Sequence, residues 1–490
     1  MRDHRTTAIR FCALKALLLL VLAPILAAQP ALAQTKAISP ALTGCLAKQD
    51  IGDDKRIAAC TATLESPLAS TVQRANAYFI RGSAYAHQKA YDSAIADFDR
   101  TIWLAPGYCP AYRGRGWVFS QKKEFDRAIA DFSECIRIDP NTVLYLDRGA
   151  AYLAKNDLDA AIADFSAMIE HHPENAYGFS NRGEAYRRKG EPKLAVADLN
   201  RAIALDPKDA YSFYNRGIAY SDQGDPDRAI ADYNEAIRLK PDALYYNNRG
   251  NSYADKKDND RSIADYDEAI KLDPNFALAY YNRGTAYREG NEQDKALADL
   301  DAAIRLDPNY AAAYGNRARI YRDRGDIDRA RADLDQSLRL DVGGYRDAYA
   351  RGNLFFDKHD FPRALADFDL AIKFNPKYAA ALNARCLTRA ILGRAQEGLA
   401  DCEESLKWRP DDAYTIDSRA FCHLKLGDFD TAIADFTAAL KVNPKLASSL
   451  YGRGLARRKK GDADGAQSDM TAAKAIQADI AEDYTAYGVE

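Results

Sequence analysis

The stretch Ala210–Asp242, AYSFYNRGIAYSDQGDPDRAIADYNEAIRLKPD, sets the reading of the whole chain. Phe213, Gly217 and Tyr220 are spaced four and three apart, which places them on one stripe of a helix. Gly224 follows, a residue that accepts left-handed backbone at a helix end. Asp225 then stands where a carboxylate can accept the unpaired N–H groups of a new helix. Ala229, Tyr233 and Ala236 repeat the four-and-three spacing, and Pro241 closes the segment. The pattern predicts two short antiparallel helices. Small residues let the backbones approach, and aromatic rings fill the remaining space.

The same pattern recurs on either side. Closing prolines fall at Pro106, Pro140, Pro173, Pro207, Pro241, Pro274 and Pro308, then at Pro376, Pro410 and Pro444. Neighbouring members of each run are 33 or 34 residues apart, and Val342 fills the one missing place. Such a period sets the architecture before any motif does. Twelve units are expected over residues 75–478, with a linker and a degenerate capping unit over 34–74 and a capping tail over 479–490. In the degenerate unit, Ile57-Ala58-Ala59-Cys60 aligns with Ile230-Ala231-Asp232-Tyr233. Terminal units of an array must shield an otherwise exposed apolar face.

The small–aromatic–Ala–aromatic–Ala–Pro pattern at this period resembles the tetratricopeptide repeat family. The resemblance implies an all-α solenoid of helix-turn-helix units wound as a right-handed superhelix, with a concave groove that receives peptides or partner proteins. It also implies that first-helix residues outside the packing stripes line the groove. In the middle units these are Tyr177, Glu184, Arg187, Tyr211, Tyr214, Asn247, Asn251, Tyr281, Arg288, Arg319 and Arg322. Tyr and Arg are types that carry binding energy at protein interfaces. The Lys/Asn arrangement with which some family members clamp a terminal carboxylate is missing. The late units depart from the pattern: Arg389, His423 and Arg457 occupy a column that is Tyr or Phe in every earlier unit.

Two charged columns run through all units. Arg precedes the first small residue, from Arg81 to Arg453, and Asp follows sixteen residues later, from Asp97 to Asp469. A ladder of ligand-binding cations is one reading. The preferred one is Arg–Asp pairing between the two helices of a unit, which would set their register.

The first 33 residues read as an export signal. Arg2, Arg5, Arg10 and Lys15 precede the apolar stretch Leu17–Ala28, and Ala31-Leu32-Ala33 offers small residues before Gln34. The apolar stretch is too short to span a bilayer and is broken by Pro24. Leu42-Thr43-Gly44-Cys45 resembles a lipoprotein cleavage site, but it stands too far beyond the apolar stretch. Export into a bacterial periplasm is therefore expected, with a lipid anchor at Cys45 as the alternative.

Export bears on the cysteines, because oxidising compartments preserve disulfides. Cys386 and Cys402 occupy a small column and an aromatic column that meet at the helix seam, and Cys45 and Cys60 hold the same columns in the degenerate unit. Cys109 and Cys135 also become neighbours in an antiparallel pair. Three intra-unit disulfides are expected, with Cys422 left over.

Composition narrows the function classes. The chain has 490 residues, 68 Lys+Arg against 71 Asp+Glu, and 47% apolar residues, enough for a core without the basic excess of a nucleic-acid binder. No Gly-rich phosphate loop, metal-ligand motif or nucleophile elbow occurs, and Gly114-Arg115-Gly116 belongs to the repeat. No cofactor, metal or catalytic residue is expected. The reading is an exported, non-enzymatic scaffold with a protein or peptide partner; its oligomeric state is open. The alternative is a recognition or assembly subunit of an envelope enzyme or secretion complex, with catalysis on another chain.

Overall fold

The computed structural model describes residues 44–46, 52–140, 143–341 and 343–489. The expected signal segment and its cleavage point lie outside them. Among the described residues every regular element is a helix, from Asp53–Glu65 to Ile480–Ala486. The chain divides into two compact units, one ending at Asp258 and one beginning at Asn259. The first unit holds helix Asp53–Glu65, five helix pairs from Thr71 to Leu239, and helix Ala243–Asp255. The second holds helix Asn259–Leu272, six pairs from Ala277 to Ile476, and the short helix Ile480–Ala486. The architecture is an all-α solenoid.

Local chemistry explains each pair. In helices Ala210–Asp222 and Pro226–Leu239, Asp225 caps the second helix by accepting the Arg228 N–H at 3.0 Å. Gly224 takes a φ of 74° in the turn, a left-handed conformation that suits a residue without Cβ. Gly217 is small for a packing reason: a Cβ there would lie 2.7 Å from the Tyr233 ring. Tyr233 is 1% exposed, so the ring cannot swing aside into solvent. The same contact recurs between Gly149 and Phe165 and between Gly352 and Phe368.

Charge pairing fixes the register of the pairs. Arg182 meets Asp198 with two parallel hydrogen bonds, Nε to Oδ2 at 2.7 Å and Nη2 to Oδ1 at 2.8 Å. The same fork joins Arg81–Asp97, Arg115–Asp131, Arg148–Asp164 and Arg216–Asp232 in the first unit. It recurs in the second unit from Arg283–Asp299 to Arg453–Asp469. The third arm of the guanidinium makes a contact outside its own helix pair. It reaches back to the preceding helix pair, as from Arg182 Nη1 to Ser166 Oγ at 3.1 Å and from Arg317 Nη1 to Asp301 at 2.6 Å. Each such Arg therefore ties three helices together.

Aromatic rings complete this staple. The Arg216 guanidinium lies 5.6 Å from the Phe213 ring centroid and 6.0 Å from that of Tyr220, within cation–π range. In the late units the flanking ring is replaced, and the structure compensates. Arg389 donates to Asp401 at 2.7 Å and Arg457 donates to Asp469 at 2.9 Å, so each carboxylate gains a second cation. His423 instead faces Asp428 at 3.4 Å.

The cysteines come together in the three combinations Cys45/Cys60, Cys109/Cys135 and Cys386/Cys402, with Cα–Cα separations of 4.7, 4.8 and 5.5 Å. Cys422 is a buried thiol, and its sulfur lies 3.5 Å from that of Cys386.

Candidate functional site

Within each unit, successive first helices touch, as Ala176–Arg188 does with Ala210–Asp222 and Ala277–Glu289 does with Ala311–Asp323. Successive second helices do not come as close. The first-helix face is thus the inner face of each unit, and it carries the residues the sequence singles out.

In the first unit these residues are not an evenly open lining. Tyr177 is 47% exposed, but Glu184, Arg187, Tyr211, Tyr214 and Asn247 are buried and Asn251 is half-buried. Five of the positions expected to line the groove are therefore covered by neighbouring side chains. The physical reason is mutual satisfaction. Glu184 accepts two hydrogen bonds from Arg187, at 2.9 and 3.0 Å, and Arg187 also reaches Asp222 at 3.3 Å. Burial works against the Arg187 charge, yet the two carboxylates hold its pKa above the ordinary value. The Tyr214 ring lies 4.6 Å from that of Tyr245, and its hydroxyl accepts from Asn248 Nδ2 at 2.9 Å. Asn247 donates to Asn248 Oδ1 at 3.3 Å.

The second unit presents a different surface. Tyr281, Arg288 and Arg319 are half-buried and Arg322 is exposed. The Tyr281 hydroxyl accepts from Asn316 Nδ2 at 2.9 Å, which repeats the Tyr214–Asn248 arrangement. Arg319 donates to Asn316 Oδ1 at 3.3 Å and approaches Asp347 at 3.7 Å. Gly315 makes room for that carboxylate, since a Cβ there would lie 2.5 Å from Asp347 Oδ2. Arg322 pairs with its neighbour Asp323 at 2.9 Å. Arg288 differs: its Nε is buried without a hydrogen-bond partner. Burial and the adjacent Arg319 both depress its pKa. A cation repelled by a neighbouring one is an arrangement that an incoming anion relieves.

Toward the C-terminus the inner face is filled from within the chain. Tyr484 is buried, and its hydroxyl donates to the Ser448 carbonyl at 2.8 Å. Nearby, Asp417 accepts from Ser448 Oγ at 2.9 Å and Ser449 Oγ at 2.5 Å. Burial pushes the Asp417 carboxyl up to about 6, against the two hydroxyls. The folded pKa is thus above the unfolded one, so this group favours folding most below about pH 4 and loses that contribution as pH rises through about 6. Asp417→Asn should therefore gain stability on the order of 2 kcal/mol at pH 7.5 and almost none at pH 4. Urea unfolding at the two pH values checks this; an equal gain at both would contradict it.

Asp417 was not singled out from sequence, whereas Tyr484 belongs to the tail expected to cap the last helix pair. Tyr484 had a signal, because Tyr484 and Gly488 continue the spacing of Phe213 and Gly217. Among the described residues no three His, Cys, Asp or Glu side chains converge as a metal site requires, and no helix is long and apolar enough to cross a membrane.

Comparison with known proteins places this geometry. Tetratricopeptide repeat models match residues 61–108, 110–142, 210–242, 277–310, 300–332 and 423–479, and a TPR repeat model matches 183–224 and 250–289. Among curated proteins no relative matches the chain. Solved structures with a similar course include a tetratricopeptide repeat protein from Parabacteroides merdae, 16% identical over 51% of this chain and 99% of that one, TM-score 0.44. Yeast Tom70 is 19% identical over 83% of this chain and 100% of that one, TM-score 0.38. The Cut9–Hcn1 structure is 12% identical over 89% of this chain and 93% of that one, TM-score 0.45. The repeat models between them span more than half of the residues, and the chain belongs to the tetratricopeptide repeat family.

Proposed function

We propose that the protein is an exported, non-enzymatic scaffold that captures an acidic protein segment on the inner face of its second unit. Members of this family are typically protein-interaction scaffolds, and the inner face supplies the contacts. The observation that carries the reading is the Arg288–Arg319 juxtaposition, with Arg288 Nε buried and unpartnered and the pKa of Arg288 depressed by its neighbour. A carboxylate seated between the two guanidinium groups would supply the missing acceptor and remove the like-charge penalty. Arginine suits this role because its planar fork matches a carboxylate. Tyr281 and Asn316 would form the floor, and exposed Arg322 would extend the site toward a second acid. The layout of residues 1–33 and the spacing of the cysteine pairs support the export part of this reading.

The test is a fluorescence-anisotropy titration of the intact protein with a labelled Glu-rich peptide and with its Gln-substituted counterpart. The acidic peptide should bind, and Arg288→Gln together with Arg319→Gln should weaken binding by about 2–4 kcal/mol, the range for truncating a desolvated charge partner. Equal binding of the Glu and Gln peptides would overturn the reading.

A further inference from the structure

We infer that residues 480–489 are a ligand in cis, seated on the inner face of the last helix pairs, and that this face takes in trans a short helix with two aromatic residues three apart. The inference deepens the scaffold reading, but it concerns another part of the inner face and another ligand chemistry.

The segment keeps part of the repeat register and departs from it at one position. Tyr484 and Gly488 keep the first-helix register, but Tyr487 stands where the preceding twelve units have Arg. Without the Arg fork nothing fixes the segment in the regular stacking position. The helix Ile480–Ala486 ends at Gly488, which takes a φ of 71°, with Val489 N–H donating back to the Tyr484 carbonyl at 3.0 Å. Tyr484 and Tyr487, three residues apart, share one side of the segment and both rings meet the protein.

What they touch identifies a binding surface rather than a simple cap. The Tyr484 ring lies 5.0 Å from Tyr451 and 5.7 Å from Phe421, both on first helices. Its hydroxyl reaches the space over Gly452, where a Cβ would come within 2.5 Å of it. Tyr487 goes further back along the chain. It meets Phe421 at 5.9 Å, and also Phe356 and Phe361, each at 6.0 Å. Phe356 ends the first helix Tyr345–Asp357, separated from the tail by three complete helix pairs. A cap need only cover the adjacent pair, Ala447–Lys459 and Ala463–Ile476, whereas this segment crosses the inner face as a bound peptide would.

The polar contacts match a helix end as well. Lys425 Nζ donates to the carbonyls of Tyr487 at 3.1 Å and Gly488 at 3.2 Å, neutralising the partial negative charge at a helix C-terminus. Burial lowers the Lys425 pKa, and no carboxylate pairs with it among the described contacts. The face thus offers two aromatic pockets three helical residues apart and a cation placed for terminal carbonyls. That set selects a helical segment with the Tyr-x-x-Tyr spacing whose last carbonyls reach Lys425. The tail must leave before such a segment enters.

The experiment uses the full chain and a fluorescein-labelled peptide of residues 477–490. The Tyr484→Ser/Tyr487→Ser variant disables the tail as a competitor but leaves the face intact. It should bind the peptide about tenfold more tightly than the unsubstituted chain, the factor expected if the tail is docked about nine-tenths of the time. Adding Phe421→Ala or Lys425→Ala to that variant should abolish the gain. Hydrogen exchange over residues 447–476 reports whether the terminal pair stays folded in the double-serine variant. Equal peptide binding by the double-serine variant and the unsubstituted chain, or a gain that survives Phe421→Ala, would overturn the inference. So would loss of protection across 447–476 without peptide binding, which would make the tail a structural cap only. The Glu-rich peptide at Arg288 serves as a separate readout, so failure here and failure of the acidic-segment reading are distinguishable.

Discussion

Asp198→Ala should destabilise the first unit by about 3 kcal/mol or more, the cost of removing one partner from a buried ion pair. Asp198 is 8% exposed, and the carboxylate is held by two of the three hydrogen-bonding arms of Arg182. Removing it strands a guanidinium whose pKa the pair holds above its ordinary value. Arg182→Ala should cost a similar amount, because it also severs the Ser166 contact to the preceding helix pair. The double substitution should cost much less than the sum, since neither charge is then stranded. Urea unfolding of the four proteins gives the coupling energy. Additive losses would mean that the fork contributes nothing beyond its separate residues. A second cycle with Ser166→Ala separates the arm that reaches the preceding pair from the fork itself.

Loss of the Cys386–Cys402 link is expected to cost about 3 kcal/mol in the chain-entropy treatment of a sixteen-residue loop. We propose that this pair, Cys45–Cys60 and Cys109–Cys135 are oxidised in the exported protein. The late pair has a further property, because Cys422 lies 3.5 Å from Cys386 and offers an alternative partner. Burial pushes the Cys422 thiol up to about 12, so near neutral pH it is almost wholly the unreactive thiol. Exchange requires a thiolate, and the native pairing is therefore protected kinetically. Gly398 is part of the same packing: a Cβ there would lie 2.7 Å from the Cys386 carbonyl oxygen and 3.1 Å from the Cys422 sulfur. Non-reducing peptide mapping should recover a 386–402 fragment, with Cys422 labelled only after unfolding. Thermal unfolding of Cys386→Ser/Cys402→Ser against the unsubstituted chain gives the magnitude. A 386–422 fragment in native protein, or free thiols at all six paired positions, would refute the assignment.

The repeat was legible in the sequence because it is a local property repeated many times. Phe213, Gly217, Tyr233 and Pro241 each satisfy a requirement set by residues within one helix pair, so spacing alone discloses their roles. The Arg and Asp columns were legible for the same reason, since both partners lie in one unit at a fixed separation. The third arm of each Arg was not. Its partner changes type from unit to unit, as with Ser166, Asn200, Asp301 and Thr437, and no single residue type announces it.

The inner face was the least legible part, again for a physical reason. A position on a first helix is open or buried according to what the neighbouring pairs and the chain ends bring to it. Glu184 and Arg288 occupy comparable faces of their helices, yet Glu184 accepts two hydrogen bonds from Arg187, while Arg288 feels the charge of Arg319 and its Nε is unpartnered. Tyr487 likewise meets Phe356 and Phe361 across more than 120 residues of chain, a distance over which spacing carries no information. The sequence by itself determined the helix pairs, their period and their internal fastening, because those rest on contacts within one unit. Only the tertiary structure decided which inner-face residues stay available and where the tail lies, because those depend on contacts between units remote in sequence.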